Sequence, residues 1–266
     1  MSIPLYQVDA FTHERFKGNP AAVCVLKNER DLAWMQNVAA EMNLSETAFI
    51  LPDRDGTFGI RWCTPTIEVD LCGHATLASS HVLLETGMVK PDATITFKSR
   101  SGPLGARRNG QWIELDFPVR LEKAIEPLPE LTSALGVEAI YTGKNVDDYI
   151  VLVDSERTVR EMQPDFARLR QFCVKGRGVI VTAAAETPGY DFVSRFFAPG
   201  AGIDEDPVTG SAHCCLGPFW MTRLHKSEFI AYQASARGGV VRVRVAGDRV
   251  FIGGEAVTSL RGELCE

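Results

Sequence analysis

The alternation of hydrophobic and polar positions predicts strands and one helix in the first part of the chain. Short apolar runs bounded by polar or turn-forming residues are typical of buried strands, and they occur at 20–26, 47–51 and 57–63. Between the first two runs, residues 31–42 (DLAWMQNVAAEM) place their apolar side chains at helical spacing. This stretch therefore predicts a helix between two strands.

The next helical stretch has a different pattern. Residues 73–87 (GHATLASSHVLLETG) are mostly small and apolar, with little polar face over the first three turns. A helix without a polar stripe is typically buried. Strand-like segments follow at 93–100, 102–110 and 111–117. If strands surround the helix, this half of the chain is a curled sheet wrapped around one central helix.

The second half of the chain repeats this plan. The pattern predicts a helix near 158–171 and a second, small-residue helix at 210–225 (GSAHCCLGPFWMTRLH), in which Gly217-Pro218 is expected to kink or end the helix. Strands are predicted on either side of these helices, at 147–154, 178–184, 190–197, 228–235, 240–247 and 248–254.

Matching residues recur at half the chain length, which indicates a duplicated unit. Gly73 and Gly210 are 137 positions apart, and the same offset relates Gly102 to Gly239 and Arg107 to Arg244. We therefore predict two similar domains, 1–117 and 118–255, with residues 256–266 able to return to the first. Prolines and mixed charges at 116–132 suit the linker between them.

Composition and charge exclude several classes of protein. The chain is 45% hydrophobic with a formal net charge of −6, so a sizeable core is expected and a basic nucleic-acid-binding patch is not. No window approaches the run of about 18 apolar residues of a membrane span, and no targeting segment is visible. Seven irregularly spaced cysteines favour reduced thiols in the cytoplasm and no metal site.

Both small-residue helices begin at a glycine behind acidic residues, Gly73 after Asp70 and Gly210 after Asp206. The N–H groups at a helix N-terminus attract anions, so two such termini that faced each other across an interdomain cleft would suit a small carboxylic acid. Each aspartate alone is more often a helix cap. Cys72, just before Gly73, is matched by Thr209 in the repeat, which disfavours racemisation by two thiols.

Four motifs, in order along nearly the whole chain, resemble those of the PhzF-like isomerases of the phenazine-biosynthesis family. They are FKGNPAAV (16–23), NLSETAFI (43–50), DLCGHATLA (70–78) and DEDPVTGSAH (204–213). The resemblance implies the α+β fold of diaminopimelate epimerase. In that fold two similar domains, each a barrel-like, mostly antiparallel sheet wrapped around a central helix, enclose the active site between them.

The resemblance also implies roles for individual residues. Glu46 matches the general acid/base that moves a proton between two carbons of the substrate, and His74 matches a polar residue that holds the substrate. Asp206 and Ser211 match the opposite wall of the site, and Gly73 and Gly210 supply backbone N–H groups. The family uses no cofactor or metal, commonly forms homodimers, and has one characterised member that isomerises a dihydro-hydroxyanthranilate.

Two alternatives remain open beside a cofactor-independent isomerase of a small carboxylic acid. One is a racemase, epimerase or dehydratase on the same fold that uses Cys72, a residue that we otherwise interpret as a small buried side chain. The other is a binding protein for small acids that lacks turnover. His81 and His213 lie deeper in the two small-residue helices, and we interpret both as core residues.

Overall fold

The computed structural model describes residues 2–173 and 178–265 and has the α+β composition that the sequence predicts. The chain divides into two compact units. Unit 1 comprises Met1–Phe117 and Gly253–Glu266, and unit 2 comprises Pro118–Ile252.

Unit 1 begins with eight strands and two helices, which account for every element predicted in the first half and add two strands. The strands are β1 (Ile3–Ala10), β2 (Asn19–Val25), β3 (Glu46–Pro52), β4 (Phe58–Cys63), β5 (Glu68–Val69), β6 (Ile95–Ser99), β7 (Gly102–Asn109) and β8 (Trp112–Pro118), and the helices are α1 (Leu32–Met42) and α2 (Gly73–Glu85).

The two helices of unit 1 pack differently because their sequences differ. Helix α2 is buried along most of its length and packs against β1, β2, β3 and β7, as expected of a helix without a polar face. Helix α1 buries only one stripe, Met35 and Ala39, against β3 and β4. The Asp31 side chain caps α1 by accepting a hydrogen bond from the Trp34 N–H at 2.7 Å.

Unit 2 contains nine strands and four helices in its described residues. The strands are β9 (Lys123–Ala124), β10 (Tyr141–Lys144), β11 (Asp148–Leu152), β12 (Gly178–Ala184), β13 (Phe192–Ala198), β14 (Ile203–Asp206), β15 (Glu228–Gln233), β16 (Gly239–Ala246) and β17 (Arg249–Gly254), and the helices are α3 (Pro129–Leu135), α4 (Glu156–Glu161), α5 (Phe166–Leu169) and α6 (Gly210–Leu224).

The order and sense of strand pairing recur between the units. In unit 1, β1–β2 is antiparallel, β2–β3 parallel, β3–β4 antiparallel and β4–β6 parallel. In unit 2, the pairs β10–β11 and β12–β13 are antiparallel and the pairs β11–β12 and β13–β15 are parallel, so the same alternation recurs. The register also recurs, since Phe58 pairs with Phe97 and Phe192 pairs with Ala231, each 134 positions later. These pairings support the duplication, whereas superposition of the units stays a prediction.

The C-terminal segment completes unit 1. Strand β18 (Ala256–Leu264) pairs antiparallel with β1 from Ile3↔Leu264 to Ala10↔Ala256, with a bulge at Gln7/Val8. It also packs against α2. The first unit is therefore discontinuous in sequence.

The structure corrects one predicted helix and narrows the prediction for another. The helix expected near 158–171 is two short helices, because Pro164 lies between α4 and α5 and disfavours helical geometry in the residue before it. Helix α6 does not end at Gly217-Pro218. Pro218 has no N–H to donate to the Cys214 carbonyl, and that carbonyl instead accepts a hydrogen bond from the Arg120 N–H at 3.1 Å.

Candidate active site

Glu46 lies at the point where β3 begins. It is the first residue of the strand and pairs with Ala21 of the parallel strand β2. Its side chain is 15% exposed. Because β3 packs against α2, the fold brings this carboxylate close to the start of a helix that lies 27 residues further along the chain.

His74, the second residue of α2, faces that carboxylate. Its Nε2 lies 3.2 Å from Glu46 Oε2, although the N–H direction is not yet aligned for a straight hydrogen bond. Such bonds often tighten only when substrate binds. Burial lowers the pKa of His74 to about 3, so the imidazole is neutral near pH 7.

Cys72 completes a cluster of three side chains. It is the N-cap of α2, it is buried, and its Sγ lies 3.5 Å from His74 Nδ1. The interpretation of Cys72 as a small buried side chain is therefore incomplete, because the thiol also contacts the ring that faces Glu46.

These three residues are of the types that bind zinc, and their ligand atoms lie within 4.8 Å of one another. In this arrangement, however, Glu46 faces one ring nitrogen of His74 and Cys72 faces the other. One ion can bind only one nitrogen of a given imidazole. The geometry therefore suits a hydrogen-bonded chain from Cys72 to Glu46 better than a metal site.

The N-cap residue of α2 does not cap the helix with its side chain. This residue is Cys72, whose thiol makes no capping hydrogen bond to the helix that starts at Gly73. Asp70 is not the cap that its position suggests: its side chain is exposed and pairs with Arg100 Nε at 3.2 Å. An anion could therefore approach the first turn of α2.

The corresponding residues of unit 2 surround the start of α6. Thr209 is the N-cap, and its hydroxyl donates a hydrogen bond to Asp206 Oδ2 at 2.5 Å instead of capping the helix. Gly210 is the first helical residue and is buried, whereas Ser211 is exposed. Glu46, Gly73 and His74 thus cluster in unit 1, and Asp206, Gly210 and Ser211 cluster in unit 2. That all six line one site stays a prediction.

Sequence reasoning missed Gln233, which organises the loop before α6. Gln233 is fully buried at the end of β15. Its Oε1 accepts from the Thr209 N–H at 2.9 Å, and its Nε2 donates to the Asp206 carbonyl at 2.8 Å. The residue stands 24 positions after Thr209 in a segment without any recognisable motif, so no local signal could have identified it.

The two histidines interpreted as core residues behave differently. His213 is fully buried, stacks on Phe192, and makes a 2.8 Å hydrogen bond between Nδ1 and the Thr209 carbonyl, so the prediction is confirmed. The prediction for His81 is wrong. Its side chain is 19% exposed and lines a surface cavity of about 480 Å³, because it lies on the part of α2 that faces β18.

Comparisons with known proteins agree with these observations. The sequence profile of the phenazine biosynthesis-like protein family matches residues 8–262. An uncharacterized isomerase of Halalkalibacterium halodurans is 54% identical over 265 residues, which cover 99% of both chains. An uncharacterized isomerase of Pseudomonas aeruginosa is 45% identical over 99% of both chains.

Solved structures share the fold. A crystal structure of a PhzF-family phenazine biosynthesis protein from Enterococcus faecalis matches with a TM-score of 0.95 and 45% identity over all of both chains. A hydroxyproline epimerase from Agrobacterium vitis matches with a TM-score of 0.65 but only 13% identity, over 99% of this chain and 92% of the other. The second likeness concerns the fold alone.

Proposed function

The chain belongs to the family of phenazine biosynthesis-like proteins and is an isomerase, and from that premise we propose that it moves a proton between two carbons of a small carboxylic acid with Glu46 as the acid/base. The observation that carries this proposal is the placement of the Glu46 carboxylate against a neutral, buried His74 at the start of α2.

The reaction needs one group that first accepts and then donates the same proton. The Glu46 carboxylate takes a proton from a carbon next to a carbonyl, carboxyl or double bond, and the electron pair shifts into the conjugated system of the substrate. The resulting carboxylic acid returns the proton to a different carbon. No net proton or electron is gained, so the proposed reaction requires neither metal nor cofactor.

The surroundings of Glu46 favour this role. A neutral imidazole can donate a hydrogen bond to the carboxylate without pairing it permanently with a cation. The N–H groups at the start of α2 can bind the carboxylate of the substrate. We assign Gly73 and Gly210 as N–H donors to the substrate, and His74, Asp206 and Ser211 as substrate-binding side chains.

A racemase or epimerase that uses Cys72 is the second candidate. It is favoured by the position of the thiol in the cluster with Glu46 and His74. Against it, the residue in the equivalent N-cap position of α6 is Thr209, whose hydroxyl donates to Asp206. A threonine hydroxyl is too weakly acidic to act as the second base.

The proposal can be tested by deuterium incorporation from D₂O into a panel of small unsaturated and amino-substituted carboxylic acids. Positioned acid/base catalysis contributes about 10²–10⁴-fold in rate. Glu46→Gln should therefore lower the labelling rate by about that factor while the acid still binds. Glu41→Gln, which alters an exposed carboxylate of α1, is the matched control and should label at the wild-type rate.

The same experiment separates the alternatives. Labelling that persists in Glu46→Gln and is abolished in Cys72→Ala would overturn the assignment of Glu46 and favour the thiol-dependent reaction. Saturable binding of an acid by the wild type without any labelling would favour a binding protein without turnover.

A further inference from the structure

His74 has a polar neighbour at each of its two ring nitrogens. Glu46 Oε2 lies 3.2 Å from Nε2, and Cys72 Sγ lies 3.5 Å from Nδ1. Only 5% of the His74 side chain is exposed, and Cys72 is also buried. Because the imidazole is excluded from water, these neighbours decide which nitrogen carries its proton.

The chemistry of the neighbours selects one tautomer. Burial keeps the imidazole neutral by lowering the pKa of His74 to about 3, so the ring has one N–H. As the proposed base, Glu46 is ionised before it takes a proton, and an ionised carboxylate can only accept hydrogen bonds. On that premise the N–H belongs on Nε2, facing Glu46. Nδ1 is then an acceptor, and the thiol of Cys72 is positioned to donate to it.

In the opposite arrangement Nδ1–H would donate to the sulfur of Cys72, and the unprotonated Nε2 would face the carboxylate lone pairs, so this tautomer would be favoured mainly by a thiolate. A thiolate at Cys72 would accept from an Nδ1–H, and helix N-termini do favour thiolates. In this cluster it would place a second negative charge within 4.8 Å of the Glu46 carboxylate. Like charges at that distance in a site shielded from water repel strongly, so the neutral thiol fits better.

The second unit shows a similar use of the N-cap side chain. Thr209, which precedes α6 as Cys72 precedes α2, also does not cap its helix; its hydroxyl donates to a site residue, Asp206. In both units, then, the residue before the glycine is positioned to serve a neighbouring polar side chain.

We propose that Cys72 is a positioning residue whose thiol donates to His74 Nδ1 and thereby holds the Nε2–H tautomer against Glu46 Oε2. A consequence, which rests on the proposed function, is that Oε1 of Glu46 exchanges the proton with substrate. Oε2 is buried against the imidazole, and Oε1 is the other oxygen of the partly exposed carboxylate.

The tautomer can be measured without any substrate. The probe is full-length protein with ¹⁵N-labelled histidine at pH 7, observed by long-range ¹H–¹⁵N correlation. The five histidines give few signals, and His74→Gln identifies those of His74. An unprotonated ring nitrogen that accepts a hydrogen bond resonates upfield of one that does not. The ¹⁵N chemical shift of Nδ1 therefore reports whether Cys72 donates to it.

We expect wild-type His74 to carry its proton on Nε2, with Nδ1 shifted upfield by the thiol. Cys72→Ala should move the Nδ1 signal downfield and leave Nε2 protonated, and Cys72→Ser should restore the upfield position because a hydroxyl can donate. Cys24→Ala, which removes a buried thiol of β2 in the cluster with α1, should leave both signals unchanged.

A wild-type proton on Nδ1, or an Nδ1 signal that does not respond to Cys72→Ala, would overturn the proposal. Once a substrate is known, Cys72→Ala should reduce kcat by about tenfold at most, the value of one hydrogen bond, with KM unchanged and with recovery in Cys72→Ser. The tautomer result stands apart from the labelling test of Glu46, so failure of one proposal is distinguishable from failure of the other.

Discussion

The protonation state of a buried ionisable side chain in this protein is set by the balance between burial and hydrogen bonds. Burial raises the pKa of Glu156, but the hydrogen bonds that its carboxylate accepts outweigh this effect and lower the pKa to about 2. The donors are the Thr187 hydroxyl, the Thr187 and Glu186 N–H groups and Arg160. His213 is the opposite case. Burial lowers its pKa to about 4, although the hydrogen bond with the Thr209 carbonyl acts in the other direction.

The state of His213 predicts a pH dependence of stability. Because its folded-state pKa of about 4 lies below the ordinary value of 6.5, the unfolded chain binds more protons between these values, and stability falls as the pH falls through that window. The contribution is on the order of 3 kcal/mol. The free energy of unfolding in urea should therefore decrease less between pH 7 and pH 4 in His213→Gln than in the wild type.

The exposed residue His225 supplies the control for this prediction. His225→Gln should keep the wild-type dependence on pH. Identical curves for the wild type and His213→Gln would show that His213 does not remain neutral in the folded protein over this range.

At the scale of elements, α6 illustrates how a local irregularity is compensated by a distant residue. Pro218 deprives the Cys214 carbonyl of its helical partner, and the Arg120 N–H replaces it. Gly217 lets the same turn approach β16 closely: a Cβ at this position would lie 2.9 Å from Val243 Cγ1 and 3.0 Å from Val245 Cγ2. The unusual Gly-Pro pair therefore serves packing and does not end the helix.

Gly217→Ala should destabilise the protein even though alanine is the better helix former. Overpacking typically costs about 1–3 kcal/mol, whereas the gain in helix propensity is at most about 1 kcal/mol. We expect a net loss of about 1–2 kcal/mol in chemical denaturation. Gly105→Ala, at a strand position where a Cβ meets nothing within 4 Å, is the control, and equal effects of the two substitutions would argue against the close approach.

At the scale of the whole molecule, the two compact units differ in continuity. Unit 2 is one uninterrupted segment with its own apolar core, which includes Leu131, Val151, Val181 and Phe197. Unit 1 needs the C-terminal strand, because β18 pairs with β1 along its whole length. None of the helices within residues 2–173 and 178–265 is both long and apolar enough to span a bilayer.

This difference predicts how fragments behave. Residues 118–252 expressed alone should unfold cooperatively on heating, as monitored by circular dichroism. Residues 1–117 alone should not, since β1 would lose eight paired positions with β18. A peptide of residues 253–266 added in trans should restore protection of β1 amides from hydrogen exchange; protection without the peptide would contradict the prediction.

The sequence by itself determined the elements whose signals are local. The spacing of apolar residues located α1, the lack of a polar face identified α2 as buried, and the glycine offsets indicated a duplicated chain. Motifs identified Glu46 and His74 individually. Such features are readable because side-chain periodicity and capping depend on residues a few positions apart.

Only the tertiary structure decided which distant groups meet. It brought Cys72, His74 and Glu46 into one cluster and left His81 partly exposed. It also paired the Arg120 N–H with the Cys214 carbonyl and placed Gln233 against the loop before α6. The physical reason is that these contacts join groups that lie far apart in the sequence. Packing and strand register select such partners, and no short stretch of sequence encodes them.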